Sequence, residues 1–233
     1  MGWAREQLER LELRGDEVVL DAGCGSGRVT ELLLERSPRG RVYAVDAAPS
    51  MVEHTRVRLG DRVTVLCQDL AELSLPEPVE VIFSNATFHW VPDHDALFAA
   101  LRRNLSQGGR LMAQCGGQGN IEVFRAQSDE VAGEAPFAEH FEGWQRPWIF
   151  ATAPETAQRL EEAGFTEVDA WLEPRSVTLA DAAAFIRSVC LVRHLDRLPR
   201  DLRQPFVERI LQRTGEPLVL DYVRLNMTAR NPD

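Results

Sequence analysis

Three carboxylates stand at the ends of short apolar runs in the first third of the chain. Asp21 follows Val18-Val19-Leu20, Asp46 follows Val42-Tyr43-Ala44-Val45, and Asp69 lies just beyond Val63-Thr64-Val65-Leu66. After Asp21 comes the turn Ala22-Gly23-Cys24-Gly25-Ser26-Gly27, and then helix-spaced apolar residues. A glycine turn between a strand and a helix brings backbone close to a ligand and offers the unpaired N–H groups of the helix start. The turn is not the dinucleotide pattern G-x-G-x-x-G. Counting from Gly23 puts Arg28 at the last position, and counting from Gly25 puts Thr30 there. A carboxylate at Asp21 also opposes a pyrophosphate and suits a ligand with positive charge or ammonium donors. Asp46 stands 19 residues after Gly27 (46 − 27), where an acid can accept both hydroxyls of a ribose. Three acids at successive strand ends beside one glycine turn describe a nucleoside ligand that carries cationic groups rather than phosphates.

These residues need a sheet to hold them on one edge, and the first half of the chain supplies one. Val18–Leu20, Val42–Val45, Val63–Leu66, Val79–Phe83 and Leu111–Ala113 read as buried strands. Val29, Leu32 and Leu33 share one helix face, Met51 and Val52 open another helix, and Ala96, Leu97, Ala100 and Leu101 stripe a third. Strands apolar on both faces that alternate with helices predict a doubly wound, mostly parallel α/β sheet covered on both sides. Ser37-Pro38-Arg39-Gly40, Pro76-Glu77-Pro78 and Gly108-Gly109 mark turns. The second half breaks the rhythm. A helix is expected near 120–132, then an irregular aromatic segment with Phe137, Phe141, Trp144, Trp148 and Phe150. Further helices are expected over Pro154–Ala163, 180–195 and 200–213, and strands over Phe165–Trp171 and Leu218–Arg230. The prediction is a single domain over 1–233 with two cap insertions, 116–150 and 175–215.

Composition narrows the function. The chain has 233 residues and a net charge of −10, which opposes binding to phosphate backbones, so no nucleic-acid partner is expected. No apolar run approaches the roughly 18 residues of a membrane span, and the charged N-terminus does not resemble a secretory signal, so no membrane partner is expected either. Cys24, Cys67, Cys115 and Cys190 are scattered without a C-x-x-C, which points away from a metal site and toward a reducing, cytoplasmic setting.

The ordered segments Asp21–Gly27, Asp46, Gln68-Asp69-Leu70, Phe83-Ser84-Asn85-Ala86 and Gly108–Leu111 resemble the motifs of class I S-adenosylmethionine-dependent methyltransferases over roughly 15–115. Ser84 through His94, and Asp221-Tyr222-Val223-Arg224-Leu225, resemble the trans-aconitate methyltransferase group within them. The resemblance implies a Rossmann-like, seven-stranded sheet with its last strand antiparallel, and S-adenosylmethionine as cofactor. It implies that Gly23, Cys24, Gly25 and Gly27 wrap the methionine part and that Asp21 helps hold its ammonium. Asp46, with Ala47 beside it, takes the ribose, and Met51 lies under the adenine. Asp69 and the Leu70 N–H meet the base, while Asn85 and Ala86 line the methionine side. Two departures stand out. Ala48 replaces a helix-capping Ser or Thr, and only about a dozen residues precede Leu13-Arg14-Gly15, which predicts a more open cofactor site.

The resemblance implies methylation of a small molecule, at a carboxylate or hydroxyl oxygen. Methylation at carbon or nitrogen of a natural product is the alternative, and a protein that keeps the cofactor without chemistry is another. Methyl transfer is an in-line displacement in which the protein aligns the partners and excludes water. His89 is the candidate general base. His89, Trp90, Trp144 and Trp148 are the candidate acceptor contacts. Each has a plainer reading: the histidine bonded to backbone, the aromatics as a local core.

Overall fold

Val19, Leu20 and Ala22 are wholly buried, and so are Ala44, Val45, Val81, Ile82 and Phe83. Strands that bury both faces belong inside a layered sheet. The structure, a computed structural model, describes residues 2–232. Seven strands, β1 (Val18–Ala22), β2 (Arg41–Asp46), β3 (Thr64–Cys67), β4 (Val79–Asn85), β5 (Leu105–Gly116), β6 (Thr166–Thr178) and β7 (Val219–Arg230), form one sheet in the order β3-β2-β1-β4-β5-β7-β6. β1 to β5 pair in parallel and β7 is antiparallel to β5. The sheet is therefore doubly wound and mostly parallel. The chain reverses its direction of winding between β1 and β4, and in such sheets the crevice beyond the strands' carboxyl ends at that point is where ligands bind.

Helices α1 (Gly2–Leu11), α2 (Arg28–Arg36) and α3 (Pro49–Leu59) accompany the first strands; α4 (His94–Asn104), α5 (Glu122–Ala132) and α6 (Ala153–Glu162) come next; α7 (Ala182–Phe185), α8 (Val192–Arg197) and α9 (Arg200–Thr214) follow. Side chains alternate across the sheet. Val19, Ala44, Val81, Phe83 and Met112 join Leu8, Leu33 and Val52 in one core layer, while Leu20, Val45, Ile82 and Leu111 join Leu97, Leu101 and Leu160 in the other. Helix ends are set locally. Asp93 caps α4 through the Ala96 N–H at 2.9 Å, and Thr152 and Glu155 form a reciprocal capping box at α6.

The chain divides into two compact units. The first comprises 1–118, 148–173 and 224–233; the second comprises 119–147 and 174–223. Within the second unit Phe137, Phe141, His194 and Phe206 make an aromatic cluster. The 137–150 aromatics are thus divided. Phe137, Phe141 and Trp144 belong to the second unit, Trp148 and Phe150 to the first.

Three sequence expectations need correction. Gly108-Gly109 does not mark a turn between elements. It lies inside β5, where the pairing jumps from Val79–Leu105 to Val81–Arg110 and the chain bulges between them. The stretch 180–195 is not one helix, because a π-helical turn over Ile186–Cys190 separates α7 from α8 and the Leu191 N–H reaches Ile186 O. β6 runs on from Trp171 to Thr178, since alternation of half-buried residues continues past the expected stop.

Candidate active site

The turn after β1 is built by contacts that its own sequence does not contain. Gly23 and Cys24 both donate their N–H to Val45 O on β2, at 2.8 and 2.9 Å. Gly23 has φ +87°, and a Cβ there would overlap the Thr87 side chain, whose hydroxyl donates to Gly23 O at 3.2 Å. Gly25 also has a left-handed φ of +54°, yet a Cβ on it would meet nothing within 4 Å. Thr55 from α3 holds the turn by donating to Gly25 O at 2.8 Å. One glycine is demanded by a neighbouring side chain, the other leaves open space beside backbone.

Asp46 ends β2, and both of its oxygens are oriented by backbone. Oδ2 accepts from Gly25 N and Oδ1 from Ala48 N, each at 2.9 Å. The second bond supplies the support at the start of α3 that Ala48 lacks as a side-chain cap; Pro49 suits this first turn. The two N–H bonds leave each oxygen a further acceptor site. Asp69 is exposed and caps the short 3₁₀ turn Leu70–Glu72 through the Ala71 N–H at 2.9 Å. Gln68 clamps this loop, donating to Ser74 O and accepting from Ser74 N. Met51 is half-buried in the first turn of α3 and Ala47 is exposed beside Asp46.

Asp21 is 1 % exposed and accepts the Thr30 hydroxyl at 2.6 Å. Burial pushes its pKa up to about 7; the Thr30 bond works against this rise and the charge on Asp46 adds to it. Asn85 closes β4, and its Oδ1 is buried without a hydrogen-bond partner among the described residues. Ala86 follows with φ +61°, fixed by its N–H donating to Gln114 O at 2.7 Å. A buried orphan acceptor at Asn85, a buried carboxyl at Asp21 and open space at Gly25 fit a ligand that brings N–H donors and positive charge, as the methionine part of S-adenosylmethionine does. The arrangement offers acceptors where a dinucleotide site offers donors. Cys24 is buried in the core, and burial raises its thiol to about 12, so it fills space rather than acting as a nucleophile.

His89 is buried, and its Nδ1 accepts the Gly116 N–H at 3.2 Å. That bond assigns the proton of the neutral ring to Nε2. Burial first, then the charge on Arg224 and on His94, push the His89 pKa down to about 3. His89 is therefore a neutral ring whose Nδ1 is engaged by backbone and whose remaining N–H lies on Nε2, as its plainer reading had it. Its ring lies among aromatics, 5.3 Å from Trp90 and 5.7 Å from Phe150 between centroids. Trp148 is in the same group, stacked on Phe150 at 5.9 Å and 5.8 Å from Trp90. Trp144 belongs to a different group, against Phe141 and His194 of the second unit, with Arg197 5.6 Å above its ring.

The sequence reading missed the residues that hold the site: Thr30, Thr55 and Thr87, which tie the turn, and Gln114 and Asn226. The last two carried a signal. Each is an amide inside an otherwise apolar strand, Leu111-Met112-Ala113-Gln114-Cys115 and Leu225-Asn226-Met227, and buried amides must find partners. Among the described residues no group of three or more His, Cys, Asp or Glu can hold a metal, and no helix is long and apolar enough to cross a membrane.

Comparison with known proteins places this geometry in context. Residues 19–109 match a family model described as a methyltransferase domain. A trans-aconitate 2-methyltransferase of Methylobacterium nodulans is 34 % identical over 177 residues, 76 % of this chain and 63 % of the relative. The match thus spans less than two thirds of that relative's length. A trans-aconitate 2-methyltransferase of Variovorax paradoxus is 31 % identical over 95 % of this chain and 87 % of its own. Among solved structures, phosphoethanolamine N-methyltransferase 2 of Haemonchus contortus, in complex with phosphomonomethylethanolamine and S-adenosylhomocysteine, superposes with a TM-score of 0.64 at 18 % identity, covering 100 % of this chain and 53 % of that one. The last likeness bears on the fold alone.

Proposed function

Because this chain belongs to the class I S-adenosylmethionine-dependent methyltransferases, we propose that it methylates a carboxylate oxygen of a small organic acid. When bound, S-adenosylmethionine supplies a methyl group already activated on a sulfonium, which passes in line to a nucleophile. In this reading Asp46 accepts the ribose hydroxyls, Met51 supports the adenine, and Asp69 and the Leu70 N–H meet its edge. Asp21 and the Asn85 amide oxygen face the cationic methionine end, with Gly23, Cys24, Gly25, Gly27, Ala47 and Ala86 lining it. The residues named here provide position, charge and exclusion of water.

The observation that carries the acceptor class is the state of His89. Its Nδ1 accepts the Gly116 N–H and burial lowers its pKa to about 3, which makes it a poor base toward a phenol, an amine or a carbon acid. A carboxylate nucleophile is already ionised and needs no base. Both trans-aconitate 2-methyltransferase relatives are named for an acid acceptor, which supports the same reading. The test is incubation with methyl-labelled cofactor and a panel of small carboxylic acids, phenols and amines. The expected product is a base-labile methyl ester. Label found only on nitrogen, carbon or phenolic oxygen overturns the acceptor class.

A further inference from the structure

Two buried carboxylates lie near the two ends of β1, and the chain treats them differently. Glu17, wholly buried just ahead of the strand, is bonded at both oxygens. Its Oε2 accepts the Arg14 N–H at 2.7 Å and the Gly15 N–H at 3.3 Å, and Arg110 Nη2 donates to its Oε1 at 2.6 Å. A carboxylate kept for stability has this form, with donors on both oxygens and a cation beside it. Asp21, next to last in β1, has one donor and no ion pair among the described residues. Thr30 donates its hydroxyl to Oδ2 at 2.6 Å. No described residue donates to Oδ1, and that oxygen is not sealed from solvent.

Thr30 makes this bond against a local alternative. It is the third residue of α2 and wholly buried. A helical threonine can return its hydroxyl to a carbonyl one turn back, but this one reaches the strand, nine residues earlier. No other described group around Asp21 takes the same part. β2 and β4 set Ala44 and Phe83 beside it. Asp46 at the end of β2 opposes its ionisation, and the Cys24 thiol in the turn holds its own proton up to about 12. On α2, Arg28 is exposed and Glu31 pairs with Arg58 at 2.9 Å. Thr30 is thus the group that favours the carboxylate over the acid. By holding Oδ2 it also fixes the direction in which Oδ1 offers its lone pairs.

We propose that Thr30 is a positioning residue for cofactor capture: its bond to Oδ2 holds Asp21 so that Oδ1 receives the ammonium of the methionine part, and the pocket thereby selects ligands that carry that ammonium. This rests on the placing of Asp21 at the methionine end given above. When the ligand meets the protonated acid, the proton leaves Asp21 for solvent as the ion pair forms. Thr30 lowers the cost of that departure, because its hydroxyl donates more strongly to a carboxylate than to a neutral acid. Ligands without the ammonium neither need the proton to leave nor gain from the alignment.

The experiment measures by calorimetry, between pH 6 and pH 8.5, the affinity of the full chain for S-adenosylhomocysteine and for methylthioadenosine, which keeps the nucleoside and thioether and lacks the amino-acid end. Thr30→Val keeps the shape and removes the donor. Without the bond the Asp21 carboxyl is expected to hold its proton roughly tenfold more tightly, so its ionised share at pH 7 falls from about a half to about a tenth. Affinity for S-adenosylhomocysteine should then fall roughly five-fold at pH 7 and less than about two-fold at pH 8.5. Affinity for methylthioadenosine should stay within about two-fold throughout, and Thr30→Ser, which keeps the hydroxyl, should restore the wild-type pH profile. Should Thr30→Val not fold, Thr30→Ala removes the same donor and is read the same way. An equal loss for both ligands at every pH makes Thr30 a packing residue and overturns the assignment, as does an unchanged profile for S-adenosylhomocysteine. Wild-type protein that binds the two ligands equally well overturns the placing of Asp21 instead, so the wild-type arm tells the two failures apart.

Discussion

The β1–β2–β3 part of the carboxyl edge and its β4–β5–β7 part are made in different ways. In the first, each acid lies at or near the carboxyl end of a different strand and the turn after β1 is contiguous: Asp21, Gly23 to Gly27, Asp46 and Asp69 lie within 49 residues of one another. In the second, the connected polar side chains come from positions 7, 114, 224 and 226, on a helix and two strands. The first part is positioned mainly by local backbone: Asp46 is aimed by two N–H groups and Asp69 by the turn it caps. The second depends on strand register, because a slip of one residue turns Gln114 or Asn226 to the opposite face. A motif can therefore identify the first part, while the second exists only once the sheet is paired.

Substitution should separate the two halves. The largest effect is expected from Gly23→Ala. Its φ of +87° and the overlap with Thr87 combine backbone strain with overpacking, each costing about 1–3 kcal/mol. A loss of about 2–5 kcal/mol in denaturant unfolding is expected, with cofactor binding lost alongside. Thr87→Ala in the same chain should recover the steric part only. Full stability in Gly23→Ala alone removes Thr87 as the reason for the glycine.

Asp46→Ala comes next. Losing hydrogen bonds to a charged acceptor should weaken cofactor binding by about 1.5–3 kcal/mol by calorimetry, with acceptor KM at saturating cofactor unchanged. A matching loss in acceptor KM erases the distinction between the halves.

The smallest effect is a pH dependence at Asp21. Its native pKa of about 7 lies above the unfolded value of 3.8, so the native state holds the proton more tightly. The sign follows: this group's contribution favours the native state at low pH and fades as pH rises through the interval between those values, with a slope that reaches at most about 1.4 kcal/mol per pH unit. A cationic cofactor favours the ionised form instead. Binding of S-adenosylmethionine should then release a proton, and affinity should rise with pH up to about 7. Calorimetry in buffers of different ionisation enthalpy reads the proton directly, and Asp21→Asn should abolish the release. Proton uptake on binding contradicts the placing of Asp21 opposite positive charge.

Some of the chain was legible in advance. Runs such as Val79–Phe83 are apolar on both faces, so parallel pairing and two covering layers followed from the pattern, and the helix expected over Pro154–Ala163 forms over Ala153–Glu162. The sequence did not reveal the bulge in β5, because Gly108-Gly109 has the same composition in a turn and in a bulge and only the Val79–Leu105 and Val81–Arg110 pairings distinguish them. His89 was read either as a base or as a ring bonded to backbone, and the sequence could not choose, because its proton location depends on an N–H 27 residues away. Trp144 and Trp148 are four residues apart and still belong to different units, since hydrophobicity says that a side chain will be buried and not against what.

By itself the sequence determined the alternation of strand and helix, the carboxylates at successive strand ends and the glycine turn before α2, because each of these depends on side-chain period and on φ/ψ preference within a few residues. Only the tertiary structure decided that Thr87 excludes any side chain at Gly23, that His89 is a donor, and that Arg224 stands in line with Gln114 and Asn85. Those depend on which strands pair and in what register, and that is fixed by burying both sheet faces at once, a condition that no short stretch of the chain contains.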